Sequence, residues 1–115
     1  MGRNAPELTD TERHVLEAIR DGMAEVAALP EPDPADFWAC EESRELTTYG
    51  PVYSPARWFG GGRPLPEKVR KRYMRAIYRL MGRGLVEATA SEGGRLRWLK
   101  LTAAGERAAT GRKRS

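Results

Sequence analysis

Residues 66–84 read PEKVRKRYMRAIYRLMGRG and contain the clearest helical pattern in the chain. Apolar side chains recur in this stretch at intervals of three and four residues, which predicts a helix with one buried stripe. The stripe consists of Val69, Tyr73, Ala76, Ile77 and Leu80. Pro66 suits the first turn of such a helix, and Gly84 suits the position just past its end.

The rest of the circumference of this helix is basic. Its cations are Lys68, Lys71, Arg72, Arg75 and Arg79, and Glu67 is the only acid in the stretch. An ordinary solvated surface helix is the alternative, but such helices usually mix the two signs of charge. The pattern therefore favours a helix that packs on a core with one side and meets a polyanion with the other. A helix of this width fits the major groove of DNA.

The charges of the whole chain are also unevenly distributed, with most of the acids in the first half and most of the bases in the second. Residues 1–50 have 12 acidic and 4 basic side chains, a net charge of −8, whereas residues 51–115 have 4 acidic and 16 basic ones, a net charge of +12. A polyanion should meet the second half and be repelled by the first. The 115 residues suit a single domain. Without an apolar run of membrane length or a signal peptide at the start, we expect a cytoplasmic, nucleoid-associated protein.

The first helix and the segment after it differ sharply in pattern. Thr9 and Glu12 have the spacing of a capping box, which predicts a helix from there to about Ala28. Gly22 should weaken its middle by roughly 1 kcal/mol relative to alanine. Three prolines in residues 30–34 then break regular structure.

Residues 30–64 are expected to be an irregular insert. A short acidic helix is predicted over residues 35–45, with Phe37, Trp38 and Cys40 on its apolar side. Ser54 and Pro55 suit the cap and first turn of a single helical turn. The aromatic residues between 49 and 59 either fill the core or line a ligand pocket, and core filling is the stronger interpretation.

A β-hairpin and a last helix are predicted after residue 84. Strands over residues 85–89 and 96–101 flank a glycine turn at residues 91–94. Alternation places Leu99 and Leu101 on the inner face and Leu96 and Trp98 on the outer one, so Trp98 should be exposed unless the register differs. Thr102 should cap a helix from residue 103 to about residue 109.

Residues 75–109 resemble the second half of a winged helix-turn-helix domain of the MarR-like transcriptional regulators. Four motifs occur in the family's order and spacing, namely Arg75-Ala76-Ile77, the run 79–86, the charged turn 90–95 and Leu101-Thr102-Ala103-Ala104-Gly105. The helix that begins near Thr9 is similar to the family's first helix, whereas the stretch 46–64 stands where the second helix of the motif is expected. The resemblance implies a mainly α fold with a small β-hairpin (α+β), as one domain over residues 9–110. It would lie between a disordered N-terminus (residues 1–8) and a basic tail (residues 111–115).

The resemblance also implies which residues would bind DNA. Residues 66–82 would be the recognition helix in the major groove, and residues 90–96 would be the wing on the backbone or in the minor groove. The DNA-binding residues carried over in this way are Lys68, Lys71, Arg72, Arg75, Arg79, Arg95 and Arg97. Met74 and Tyr78 could touch a thymine methyl group or a sugar, although Tyr78 could equally lie on a neighbouring element. Arg70 is left out because it projects toward the apolar side.

Other functions are less well supported by the residues. The alternative to a regulator is a winged-helix adaptor that binds protein in a replication, partition or mobile-element complex. No catalytic, cofactor or metal constellation is recognised, because His14 and Cys40 are single residues far apart in sequence and Gly60–Gly62 lacks the ending of a phosphate loop. A homodimer is one option for the assembly, and a small-molecule effector has no support from the pattern.

Overall fold

The computed structural model of the protein describes residues 7–110. Their elements are, in chain order, α1 (Asp10–Ala27), α2 (Phe37–Tyr49), α3 (Pro55–Phe59), α4 (Glu67–Gly82), β1 (Val86–Ala90), β2 (Leu96–Leu101) and α5 (Ala103–Thr110). The expectation of a mainly helical chain with a small antiparallel hairpin is confirmed. Residues 1–6 of the expected disordered N-terminus and the basic tail 111–115 lie outside the described residues.

Helix α1 begins as its sequence predicts. The Glu12 backbone N–H donates to the Thr9 hydroxyl oxygen at 3.0 Å, and the Thr9 N–H donates to the Glu12 carboxylate at 2.9 Å. Both halves of the capping box are therefore present. Val15, Leu16 and Ile19 are fully buried on the inner face, so the predicted apolar side of α1 forms one wall of the core.

Gly22 in α1 has a packing role that its helix propensity does not show. A Cβ atom at this position would lie only 2.9 Å from Cγ of Pro51. The absence of a side chain thus lets residue 51 approach the helix closely. Glycine at this position weakens the helix, but a residue with a side chain would not leave room for Pro51.

Helix α4 packs its predicted stripe against α1 and the hairpin. Ala76, Ile77 and Leu80 are fully buried and join the residues of α1 in one hydrophobic core. The helix ends at Gly82, and Gly84 has the left-handed backbone (φ +76°) expected just past a helix end.

The hairpin pairs as predicted but contains a bulge. Residues 86–89 of β1 pair in sequence with residues 101–98 of β2, and Ala90 then pairs with Leu96. Arg97 is therefore the extra residue on β2, which increases the local twist of the strand. The Ser91 N–H donates to the Arg95 carbonyl at 2.8 Å and closes the turn.

The expected exposure of Trp98 is wrong. Its side chain is only 9% exposed. An extended segment, residues 51–53, runs along the free edge of β2, where the Tyr53 N–H donates to the Arg97 carbonyl and the Leu99 N–H donates to the Pro51 carbonyl. The ring of Tyr49, at the end of α2, lies 5.0 Å from the indole. The free edge of β2 and the Trp98 indole are thus covered by the segment that we expected to be irregular.

That segment contains more helix than its sequence indicates. Helix α2 continues to Tyr49 rather than ending near residue 45, and α3 follows at residues 55–59. Asp36 caps α2, whereas the predicted side-chain cap from Ser54 does not form. Phe37 and Trp38 do not pack on the body of the protein, since they are 61% and 77% exposed.

Helix α5 is fixed to the turn between α4 and β1. The Thr102 hydroxyl donates to the Gly84 carbonyl at 2.7 Å, and the Thr102 N–H donates to the Leu85 carbonyl at 3.1 Å. The same hydroxyl accepts from the Gly105 N–H and so caps α5 as predicted. A Cβ atom on Gly105 would lie 1.9 Å from the Leu85 oxygen. Two of the motifs that support the resemblance, the run 79–86 and residues 101–105, are therefore in direct contact at this joint.

None of the helices within residues 7–110 has both the length and the apolar character needed to cross a membrane.

Candidate nucleic-acid interface

The outer side of α4 presents cations that the protein itself does not neutralise. Lys68, Arg72 and Arg75 are exposed, and none of them has an ion-pair partner among residues 7–110. Lys71 lies 3.3 Å from Glu67 one turn earlier, but both side chains are largely exposed and such pairs contribute little. Four of the five predicted cations of α4 are thus available to an external anion.

Arg79 is held differently from the other cations of α4. Its Nε donates to the Glu12 carboxylate at 2.7 Å, and Arg83 places Nη1 3.9 Å from the other oxygen of that carboxylate. Glu12 is nearly fully buried, whereas the Arg79 side chain is about half exposed (49%). Arg79 therefore joins α4 to α1, and only the exposed part of its guanidinium can meet another anion.

The carboxyl group of Glu12 shows the effect of this contact. Burial by itself would raise its pKa, but the hydrogen bonds from Arg79 and the Thr9 backbone, with the charges of Arg79 and Arg83, lower the pKa below its ordinary value. Glu12 is thus kept ionised beneath the basic helix. The sequence marked Glu12 as a capping residue only, and nothing in its pattern indicates this second role.

The hairpin carries the two predicted wing arginines. Arg95 is exposed at the turn and has no ion-pair partner within the described part of the chain. Arg97 is exposed on the bulged strand, and its guanidinium carbon lies 5.0 Å from the centre of the Trp98 ring. This cation–π contact limits the directions that Arg97 can take.

Three further side chains of α4, those of Tyr78, Met74 and Arg70, differ in their exposure. Tyr78 is 57% exposed, and helical spacing places it beside Arg75 on the outer side of the helix. Met74 is half-buried. Arg70 is exposed, and its charge acts on Tyr53, a residue of the extended segment. Tyr78 is therefore the apolar group that a ligand on the outer side of α4 would touch.

An aromatic layer fixes the inner side of α4. The ring of Phe59, from α3, stacks on Tyr73 at 3.9 Å with an interplanar angle of 7°. The Tyr73 hydroxyl and His14 Nδ1, on α1, are hydrogen-bonded at 2.8 Å. Tyr53, Trp58 and Phe59 pack against the core, which agrees with the core-filling interpretation. Helices α1 and α3 thus both contact the inner side of α4 through Tyr73.

Tyr53 differs from Tyr73 in that its hydroxyl group, which is buried, has no hydrogen-bond partner among the described residues. Burial raises the pKa of Tyr53 to about 12, against the opposing effect of the positive charge on Arg70.

Residues 7–110 contain no group of three histidine, cysteine, aspartate or glutamate side chains arranged to hold a metal ion.

No protein-family model, curated protein or solved structure matches this chain.

Proposed function

We propose that the protein is a winged helix-turn-helix protein that binds double-stranded DNA sequence-specifically and regulates transcription. The observation that supports this most directly is the set of exposed cations without an acidic partner in the described structure. They lie on one helix and on the adjacent hairpin turn, at Lys68, Arg72, Arg75 and Arg95. A DNA duplex, with a dense row of phosphates on each side of the groove, would neutralise such a set.

The order of the elements supports the proposal. An extended segment on the hairpin edge, the short helix α3, a glycine turn, α4 and then the hairpin follow one another. In this arrangement α3 and α4 are the two helices of the motif, and residues 90–96 are the wing. Helix α2 is an addition between α1 and the extended segment.

The outer side of α4 offers base-reading groups as well as charge. Lys71, Arg75, Tyr78 and Gly82 follow one another at helical spacing. Arg75 would donate two hydrogen bonds to the major-groove edge of a guanine, and Tyr78 would contact a thymine methyl group. A Cβ atom on Gly82 would meet nothing within 4 Å, so the groove floor could approach the helix there.

The roles of the two basic parts would differ. Side chains of α4 would read the sequence, while Arg95 and Arg97 would fix the position of the protein on the phosphate backbone. The protein would act by occupying an operator in the nucleoid, without chemistry of its own.

The first experiment is selection from a random duplex pool, followed by a salt titration with the selected duplex. If about four to six phosphates are neutralised, log K should fall with log [salt] at a slope of about −4 to −5. The selected duplex should bind at least about 1,000-fold more tightly than a scrambled one. Weak binding that does not depend on sequence would favour the adaptor instead.

The second experiment compares single arginine variants. Arg75→Ala should lose about 1–3 kcal/mol on the selected duplex and discriminate less at one base pair. Arg95→Ala should weaken the selected and scrambled duplexes equally. Arg44→Ala, which removes the same charge from α2, is the matched control and should leave both affinities unchanged at moderate salt. Equal effects of all three variants would contradict the assignment of the binding face.

A further inference from the structure

Helix α2 exposes a surface that DNA binding does not use. We name it the acidic aromatic face, and it consists of Phe37, Trp38, Glu41, Glu42 and Glu45. The glutamates follow the two aromatic residues at helical spacing, so that all five share one side of α2. Glu42 is exposed, and Glu41 and Glu45 are partly exposed.

The two aromatic rings contact each other rather than the core. Their centres are 5.0 Å apart and their planes are inclined by 80°. They are the most exposed of the large apolar side chains in the described structure, and α2 has no fully buried residue. The body of the protein holds α2 from its C-terminal end, where the Lys100 ammonium group donates to the Thr48 carbonyl at 3.1 Å.

Tryptophan is among the side chains that most often dominate the energy of a protein interface, and phenylalanine is enriched in interface cores. Each buries a large apolar area with few rotatable bonds, so its ordering costs little entropy. Phe37 and Trp38, adjacent on one helix turn, together present an apolar surface that a partner protein can bury. Scattered exposed apolar residues need no such explanation, but two adjacent aromatic rings form a patch.

The charge around the pair decides which partner fits. Residues 31–45 contain six acids and one base, Arg44. Arg44 pairs with Glu41, and the other five acids have no ion-pair partner within residues 7–110. A second copy that docked through the same face would bring the same negative charge to the contact, and nucleic acid would be repelled. A basic segment would gain ion pairs with the glutamates and cation–π contacts with the rings.

We propose that the acidic aromatic face docks a partner protein through a segment that combines Lys or Arg with apolar side chains. This surface lies on α2, which is an addition to the DNA-binding elements, so both partners could be bound together. The inference does not depend on the DNA-binding proposal.

The test is selection of random 16-residue peptides displayed on phage against the purified full chain. Recovered peptides should be enriched in Lys and Arg over the starting library. Synthetic versions of them should bind the wild type more weakly as salt increases. The double variant Phe37→Ser/Trp38→Ser should lose at least tenfold in affinity, and Glu42→Gln should lose a smaller factor. Tyr78→Ser removes a similarly exposed aromatic ring from the basic helix and should retain full affinity.

Several results would overturn the inference. These are the recovery of no binding peptide, recovery of peptides without basic enrichment, or equal losses in the Tyr78→Ser and Phe37→Ser/Trp38→Ser variants. A dimer in sedimentation that the double variant dissociates would show that a second copy occupies the face instead. Because the changed side chains are exposed, circular dichroism of the variants should match that of the wild type. The affinity of the Phe37→Ser/Trp38→Ser and Glu42→Gln variants for duplex DNA gives a separate readout, and failure of the wild type to bind DNA would concern the DNA-binding proposal only.

Discussion

Glu12→Gln should destabilise the protein by about 1–2 kcal/mol at pH 7. Glutamine keeps the reach needed for the capping box, so the Thr9 bond at 2.9 Å survives while the charge is lost. A charge-assisted hydrogen bond contributes about 1.5–3 kcal/mol. The expected loss lies at or below the lower end of that range, because the Arg79 side chain is 49% exposed and water screens it.

The same change should alter the dependence of stability on pH. Since the folded protein lowers the pKa of Glu12 below its ordinary value of 4.5, the unfolded chain binds the proton more readily. The stabilisation is therefore fully present above about pH 4.5 and is lost as the pH falls through the lowered folded value. The difference in unfolding free energy between wild type and Glu12→Gln should shrink toward acid.

Urea unfolding at a series of pH values between 3 and 7 measures this difference. Glu17→Gln is the control, because Glu17 lies on the same helix without an ion-pair partner among the described residues. A loss from Glu12→Gln that is as large at pH 3 as at pH 7 would show that packing, and not the charge, is the cause. No loss at pH 7 would refute the stabilising role of the pair with Arg79.

Three further changes test the packing. Tyr53→Phe removes a buried hydroxyl without a described partner, so thermal unfolding should show equal or slightly greater stability. Since burial raises that pKa to about 12, the wild type should lose stability above about pH 10, and the variant should lose less. Gly105→Ala forces a Cβ atom to 1.9 Å from the Leu85 oxygen and should cost at least about 2 kcal/mol in urea unfolding. Trp98→Ala should cost about 3–5 kcal/mol, whereas Trp38→Ala, at 77% exposure, should cost less than about 0.5 kcal/mol; equal losses would contradict the assigned burial.

The parts of the fold that the sequence predicts are those specified by neighbouring residues. The capping box at Thr9 needs only the next three positions, and the stripe of α4 repeats over four turns. The hairpin follows from two short apolar runs around a glycine turn. In each case the local signal and the final packing agree, so the sequence pattern is sufficient to predict the element.

The parts that the sequence does not predict depend on distant partners. Trp98 looks exposed by alternation, but residues 51–53 and Tyr49 cover it from 45 or more positions away. Glu12 and Arg79 are 67 residues apart, and no spacing rule connects them. The candidate cations were identified from charge, helical spacing and the family resemblance, none of which can indicate that Arg79 is already paired with Glu12 within the protein.

The joint formed by Thr102, Gly105 and Leu85 couples parts that are separate in sequence. It ties α5 to the corner at which α4 ends and the hairpin begins, so the backbone of that corner depends on the packing of α5. A substitution that displaced α5 would disturb these contacts at the end of α4 and at the start of β1 alike. Under the proposed DNA-binding function, substitutions in α5 are therefore expected to change the affinity for a duplex without contacting it.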